Sequence, residues 1–358
     1  MSSSPLFAAA GLGYLLAMVI YIAYFVTGKD IVGKVASSVA VISFACHTGA
    51  FVIRWFAFSQ LYNLGFFQSI PITNLYESLV FFAWCLILGN ILVEYYYKTK
   101  AFGALAAMLA GMAVAFIDTT GMSKDIQPIL PALKSNWLLA HASLSFIAYA
   151  AFAVSFIAAI LHLAMSDRRK SSGVYIFWTG TLSLFIFTMG GMMADMLLKI
   201  SSGNREGMSK PFSDLFRRAD SSDVAIIIVG FLTVWLFFWY FGNILSSLAE
   251  KLGLTSELLE ELTYKAVSVG FPVFTVGGLI FGAIWADKAW GHYWSWDPKE
   301  TWSLITWLIY AFYLHGRYVK GWQGRRVTVI AVIGFLSTIF TYVGVNLLLS
   351  GLHSYGTF

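Results

Sequence analysis

Charge is what this sequence has least of: 11% of its 358 residues are Asp, Glu, Lys or Arg, against 59% apolar. A soluble chain of that length needs far more charge to cover its surface, so the composition excludes a globular domain in water and makes the bilayer its main solvent. Cysteine is almost absent as well. Cys46 and Cys85 both lie inside apolar runs and form no CxxC pair, which excludes a thiol relay built from this chain alone. Cys46-His47 looks like the tail of a haem-attachment CxxCH, but position 43 is Ser43, so the chain is not read as a c-type cytochrome. No soluble domain, low-complexity stretch or convincing internal repeat is present, and no Ser-His-Asp, Cys-His or metal-hydrolase constellation, so no catalytic residue is assigned. The formal charge of +5 resides in short loops between apolar runs and does not argue for a nucleic-acid partner.

What the chain has instead is apolar runs of 18 or more residues from end to end, each long enough to cross ~30 Å of hydrocarbon. About ten spans are expected, near 6–26, 35–58, 72–93, 101–117, 137–165, 174–200, 224–247, 265–286, 301–319 and 327–349. In lipid, backbone groups must be satisfied within the segment, so the fold class is an all-α integral membrane protein forming a single polytopic domain over 1–358. The first run has no basic flank and no small-residue cleavage site and reads as a retained span. One set of loops carries 13 Lys and Arg, including Lys98, Lys100, Arg168, Arg169, Lys170, Arg325 and Arg326, and is assigned to the inner side. Both termini and segment 287–300 then face outward. Glu250 to Tyr264 is acidic and amphipathic, and is expected to form an interfacial helix between spans.

The segment 285–307 reads WADKAWGHYWSWDPKETWSLITW and holds six of the chain's 13 tryptophans in 23 residues. An aromatic belt at the membrane interface is the ordinary explanation. A belt, however, spreads over many spans and does not need Asp297, Lys299 and Glu300 at close spacing. Trp285, Trp290, Trp294, Trp296, Trp302 and Trp307 are therefore expected to make a flat aromatic platform for a planar apolar ligand, with polar groups at its rim.

Histidine adds the second clue, because an imidazole within a span is costly enough to suggest function. On the expected topology His141 begins span five and His353 follows span ten, both at the outer face and free to converge beside the platform. Two neutral imidazoles over an aromatic floor suit axial ligation of haem iron. Zinc would want more N or S ligands close in sequence. His315 lies about fourteen residues into span nine, ~21 Å along its axis. His47 is mid-span in helix two, where ligand and packed polar residue are both open. His162 reads as a hydrogen-bonding residue at the inner end of helix five, and His292 as a wet loop residue.

The segment WGHYWSWDPKETWSLITW resembles the tryptophan-rich WWD signature of haem-handling proteins in cytochrome c biogenesis, and within these the CcsA/ResC branch of system II. Asn74-Leu75-Tyr76-Glu77-Ser78, Pro131 through Trp137 leading into His141, Tyr313-Leu314-His315 and Asn346 through Gly356 are similar to that branch too. The resemblance extends from about residue 50 to the C-terminus. It implies that His141 and His353 are axial ligands of haem b beside the WWD segment, with Trp290, Trp294, Trp296, Asp297 and Trp302 in its binding surface. It also implies that His315 is the intramembrane ligand of an earlier haem site, completed by a histidine of a CcsB/ResB-like partner. The implied function is a haem-handling, haem-lyase subunit of a cytochrome c synthetase, presenting haem for thioether attachment to the CxxCH of apocytochrome c, with a thiol-reducing partner keeping the substrate reduced. The location implied is a multi-pass protein of a bacterial plasma membrane, or of a thylakoid membrane in a photosynthetic source.

Two departures stand out. Phe66-Phe67-Gln68-Ser69-Ile70 replaces a Gly-His-Phe common in relatives, and the 174–247 region adds a helical hairpin where many have a loop. The even number of added spans leaves the sidedness of the WWD segment unchanged. A rival reading is a b-type electron-transfer subunit with stacked haems on His141/His353 and His162/His315. A second is a permease gated by the Trp-rich loop.

Overall fold

The computed structural model describes residues 3–119, 123–126, 135–202 and 221–349. Among them there are ten helices and no strand. They are α1 (Ser4–Thr27), α2 (Asp30–Tyr62), α3 (Leu75–Tyr97), α4 (Gly103–Thr119), α5 (Asn136–Ser166), α6 (Gly173–Ser202), α7 (Ser221–Lys251), α8 (Ser256–Trp290), α9 (Pro298–Tyr318) and α10 (Arg325–Leu348). Eight are long and apolar enough to cross a membrane. The other two are α4, which is short, and α9, which is too polar along its inner stripe to qualify on composition. Thr306 on that stripe hydrogen-bonds Ser337 at 2.7 Å and Thr341 at 2.9 Å on α10.

Helix ends follow local chemistry. Gly28 closes α1 in the left-handed region at φ 68°, its N–H donating to the Tyr24 carbonyl. Asn74, Ser135 and Thr255 cap α3, α5 and α8 by accepting backbone N–H bonds in the first turn. Ion pairs gather the basic loops at one end of the bundle: Lys100 with Asp30 at 3.2 Å, Arg168 with Glu250 at 2.5 Å, Arg325 with Asp167 at 2.8 Å, and Arg317 with Glu260. Burial pushes the Asp167 carboxyl up, but bonds from Ser172 and Arg169 and the charge of Arg325 outweigh it and hold it at about 2.

The centre of the bundle is α5, which packs against α3, α8 and α10. Of its most apolar stretch 83% is buried, against 0% for α7. In lipid there is no hydrophobic expulsion to drive helices together, so close packing at small residues does the work. Gly334 of α10 is one such point. A Cβ there would fall 2.7 Å from the Tyr310 ring, which in turn stacks on Phe152 of α5 at 3.8 Å.

The expected 174–247 hairpin is present as α6 and α7, packed on each other, with α6 against α4 and α5 and α7 on the periphery. The expected interfacial helix at 250–264 is not. That stretch is the end of α7, a turn through Gly253 at φ 78°, and the first turns of α8. Its amphipathic pattern arises because Leu259 and Leu262 face the core while Glu257 and Glu261 face out.

Both helices that flank α9 contain a π-helical segment, Thr275–Phe281 in α8 and Phe340–Gly344 in α10. Each lies in the half of its helix away from the basic loops. Such wider turns shift backbone carbonyls out of the α register and are frequent at functional sites.

Candidate functional site

His141 is in the second turn of α5, and its Nδ1 lies 2.8 Å from the carbonyl oxygen of Gly277 in the first π segment. A carbonyl only accepts, so Nδ1 carries the proton and Nε2 carries the lone pair. This is the tautomer a metal-ligating imidazole needs, oriented by the backbone partner such ligands commonly have. Glycine permits the approach, because a Cβ at 277 would sit 2.2 Å from Leu144 Cβ on α5. Trp285 lies nearly parallel to the imidazole at 6.1 Å and 14°, and Trp290 meets Trp285 edge-on at 4.9 Å and 63°. Trp285 is buried together with Leu138 of α5.

The loop to α9 turns at Gly291, φ 80°, and again at Trp296, φ 59°. A side chain with a Cβ in the left-handed region is strained, and Trp296 is also 68% exposed. What holds it is the α9 N-terminus. Asp297 accepts from Lys299 N at 3.0 Å, and Glu300 Oε2 accepts from Ser295 N at 2.7 Å, Ser295 Oγ at 3.1 Å and Asp297 N at 3.3 Å. This is a capping box with Pro298 in the first turn. Asp297 and Glu300 thus shape the loop from beneath.

The six indoles do not form the expected flat platform. Trp285 and Trp290 stand beside His141; Trp294 and Trp296 meet at 5.7 Å and 88° in the loop. Trp302 packs on Phe340 at 4.3 Å, and Trp307 donates to Thr275 Oγ1 at 2.9 Å, each against one π segment. Indole quadrupoles favour edge-to-face contact, and three different elements carry the rings, so the result is a set of aromatic corners.

Lys299 reaches from α9 to α10, where its ammonium lies 3.3 Å from Asn346 Oδ1 and 5.5 Å from the centre of the Tyr342 ring. Tyr342 in turn shares a very short hydrogen bond with Ser78 of α3 and packs edge-on against Phe146 of α5 at 5.0 Å.

The remaining histidines separate. His353 lies outside the described residues. His47 is buried, with Nδ1 2.9 Å from the Tyr14 hydroxyl, Phe7 edge-on at 5.4 Å, and Nε2 without a hydrogen-bond partner among the described residues. His162 is buried against Thr328 Oγ1 at 3.1 Å. The Thr328 hydroxyl is already donated to Gly324 O, so it accepts from His162. His315 lies toward the inner end of its span. It sits in the last turn of α9 beside Arg317, exposed on the outside of the bundle. His162 and His315 therefore do not form the inner pair a stacked-haem subunit requires. His292 is exposed in the loop.

The chain also holds a buried ion pair that its sequence signalled only as charges in apolar runs. Arg54 of α2 lies 2.9 Å from Glu77 Oε1 of α3, with side chains 3% and 0% exposed. Arg54 also donates to the carbonyls of Lys124 at 2.9 Å and Asp125 at 3.2 Å, and Glu77 accepts from Thr73 N and Oγ1 at 2.9 Å. The pair fastens the segments before α3 and after α4 to the tryptophan end. Phe66, in the segment that departs from the usual pattern, stacks on Trp55 at 4.3 Å and lines a groove with Gly65, Gln68, Asn136 and Leu139 at the start of α5.

An imidazole whose Nδ1 is held by a backbone carbonyl, with indoles at close range, makes a donor set that fits an iron porphyrin. Comparison with known proteins agrees with the kind of chemistry. Residues 72–353 match the family described as Cytochrome C assembly protein. The Cytochrome c biogenesis protein CcsA of Gloeobacter violaceus is 36% identical over 90% of this chain and 86% of its own length. That of Synechococcus sp. strain CC9902 is 35% identical over the whole of both chains, and that of Mesostigma viride 35% identical over 85% of this chain and 83% of its own. A match this long, running from the α3 cap through the capping box of α9, shows that the chain is a multi-pass membrane protein of the CcsA family of cytochrome c biogenesis proteins.

Proposed function

We propose that this protein holds haem b at its tryptophan end and presents it there for attachment to apocytochrome c. The observation that carries the reading is the His141–Gly277 hydrogen bond, which sets an imidazole in the ligating tautomer beside Trp285 and Trp290. His141 supplies one axial ligand and His353, from the segment after α10, the other. The excess of Lys and Arg in the loops at the other end supports assigning the tryptophan end to the outer, periplasmic or lumenal side.

Haem is cargo here. Attachment adds each substrate thiol across one vinyl group: sulfur bonds one vinyl carbon, the thiol hydrogen ends on the other, and no net redox change occurs. That reaction needs reduced thiols and a positioned porphyrin, so placement is the main contribution of this chain. A thiol-reducing partner keeps the CxxCH cysteines competent. His315, exposed on the bundle surface near the inner end of α9, is placed to meet a ligand from outside the chain, and a CcsB/ResB-like membrane subunit is the partner assigned to it.

The test is the absorbance spectrum of the purified full chain. Wild type is expected to carry a Soret band of low-spin, six-coordinate haem, and His141→Ala to lose it or convert it to a high-spin form. An unchanged low-spin spectrum in His141→Ala would overturn the assignment, and a wild type without any Soret band, with or without its partner, would favour a permease.

A further inference from the structure

The groove between the α2–α3 connection and the start of α5 is built from neither the imidazole nor the indoles of the tryptophan segment. One wall is the 3₁₀ turn Phe66–Ser69, the other the first turn of α5. The first wall is rigid. Trp55 Nε1 and Ser69 Oγ both donate to the Phe66 carbonyl, at 2.7 and 2.8 Å, and Gln68 N donates to Gly65 O at 2.9 Å. The Phe66 ring lies on Trp55 within 17° of parallel. The second wall is fixed by the Ser135 cap, whose Oγ accepts from Trp137 N at 3.2 Å. This is also where Phe66 through Ile70 departs from the pattern of relatives, and the haem reading gives the segment no task.

Its lining says what it can hold. Phe66 and Leu139 are apolar, Gly65 has no side chain, and none of the lining residues carries a charge. Gln68 and Asn136 stand on opposite walls, both exposed, and neither side-chain amide is hydrogen-bonded among the described residues. An amide side chain donates and accepts at once, so a pair of them matches the alternating N–H and C=O groups of an extended peptide. A phosphate or carboxylate would find no cation here. A lipid acyl chain would strip water from both amides and offer them nothing. The groove also leads to the ligand. Leu139 and His141 are two residues apart and point to opposite sides of α5, with exposed Asn136 and Trp137 at the helix top between them. Trp137 stands edge-on to Phe281, in the π segment that holds His141, at 5.4 Å and 67°. Rounding a helix ~10 Å across takes about three residues of extended chain.

We infer that this groove docks the residues of apocytochrome c that flank its CxxCH, as an extended neutral strand between Gln68 and Asn136. The inference rests on the haem reading above: the histidine of the motif meets the iron at His141, and the chain next to it crosses the top of α5 into the groove. Gln68 and Asn136 then add affinity that depends on the flank and not on the motif, which makes them specificity-determining residues for the substrate.

Full-length, haem-loaded protein in phosphatidylcholine nanodiscs is titrated with two probes, an apocytochrome c peptide reading SxxSH in place of CxxCH with its natural flanks, and the bare SxxSH peptide. Wild type is expected to bind the flanked peptide about tenfold tighter, the scale of two neutral hydrogen bonds. In Gln68→Leu/Asn136→Leu that preference should vanish while bare-peptide affinity and the Soret band stay as in wild type, which also shows that the variant folds. With p-benzoylphenylalanine in place of Phe66, illumination should cross-link the flanked peptide at a residue outside SxxSH. A preference retained in the double variant, equal weakening toward both peptides, or a cross-link only to phosphatidylcholine, to this chain itself or to a second copy would overturn the inference. A wild type without a Soret band sinks the haem reading itself, whereas a haem-loaded wild type that binds both peptides equally sinks only the groove.

Discussion

His141 Nδ1 and the carbonyl oxygen of Gly277 are 2.8 Å apart, although 136 residues separate them in the chain. The contact joins the central helix to a π-helical turn of its neighbour. It decides which nitrogen of the imidazole is basic, and so makes the ligand depend on a backbone distortion two helix turns before Trp285.

Gly277→Ala should therefore disturb the ligand without touching it. The added methyl would fall 2.2 Å from Leu144 Cβ, and the backbone must give way. Overpacking of this kind costs about 1–3 kcal/mol. The expected outcome is lower thermal stability together with a haem spectrum shifted toward high spin. A normal low-spin spectrum would show that the Gly277 carbonyl does not control the ligand.

The Arg54–Glu77 pair should behave as a buried, fully bonded charge pair. Removing one partner, as in Arg54→Met, strands the other and should cost about 3–5 kcal/mol, read as a fall in thermal unfolding temperature in detergent. The double variant Arg54→Met/Glu77→Met should recover part of that loss. Full recovery is not expected, since Arg54 also serves the Lys124 and Asp125 carbonyls and Glu77 serves Thr73.

Asp167 gives the basic end an acid limit. Its carboxyl is held at about 2 in the folded protein, below the ~3.9 of an unfolded chain. The folded state thus favours the ionised form. The resulting stability is complete above about pH 4, where both states are ionised, and is lost as pH falls toward 2. Wild type should exceed Asp167→Asn in thermal stability at neutral pH, and the gap should close on acidification. A gap independent of pH would mean the loss is one of packing.

His162 and His315 should part company experimentally as they do in space. His162→Phe removes the Thr328 hydrogen bond and should cost about 1 kcal/mol of stability with no change in the haem spectrum. His315→Ala should leave the isolated chain as stable as wild type, because the side chain is exposed, yet impair cytochrome c maturation in cells that supply a partner subunit. Equal dependence of maturation on both histidines would revive a stacked-haem arrangement.

The ten helices were legible in the sequence because hydropathy is a local property, although only eight of them are long and apolar enough to cross a membrane: each helix must satisfy its own backbone in lipid, wherever its neighbours lie. The α9 capping box rests on an equally local pattern, Asp297-Pro298-Lys299-Glu300, in which the N-cap and N3 carboxylates hold the loop. The 250–264 stretch misled because an amphipathic pattern reads alike for an interfacial helix and for the first turns of a span whose acidic face leaves the core.

The density of tryptophan marked where to look, but not how the rings stand. Ring orientation, the hydrogen bond that sets the tautomer of His141 and the exposure of His315 all depend on which helices become neighbours. Those neighbours are set by side-chain packing between elements far apart in the chain, and by two π turns that no periodicity announces. Composition and local pattern determined that the chain is an all-helical membrane protein, eight of whose described helices are long and apolar enough to cross a bilayer, and that six of its tryptophans fall in one short segment. Only the packed bundle decided which imidazole nitrogen is held by a backbone carbonyl and which indole rings stand beside it.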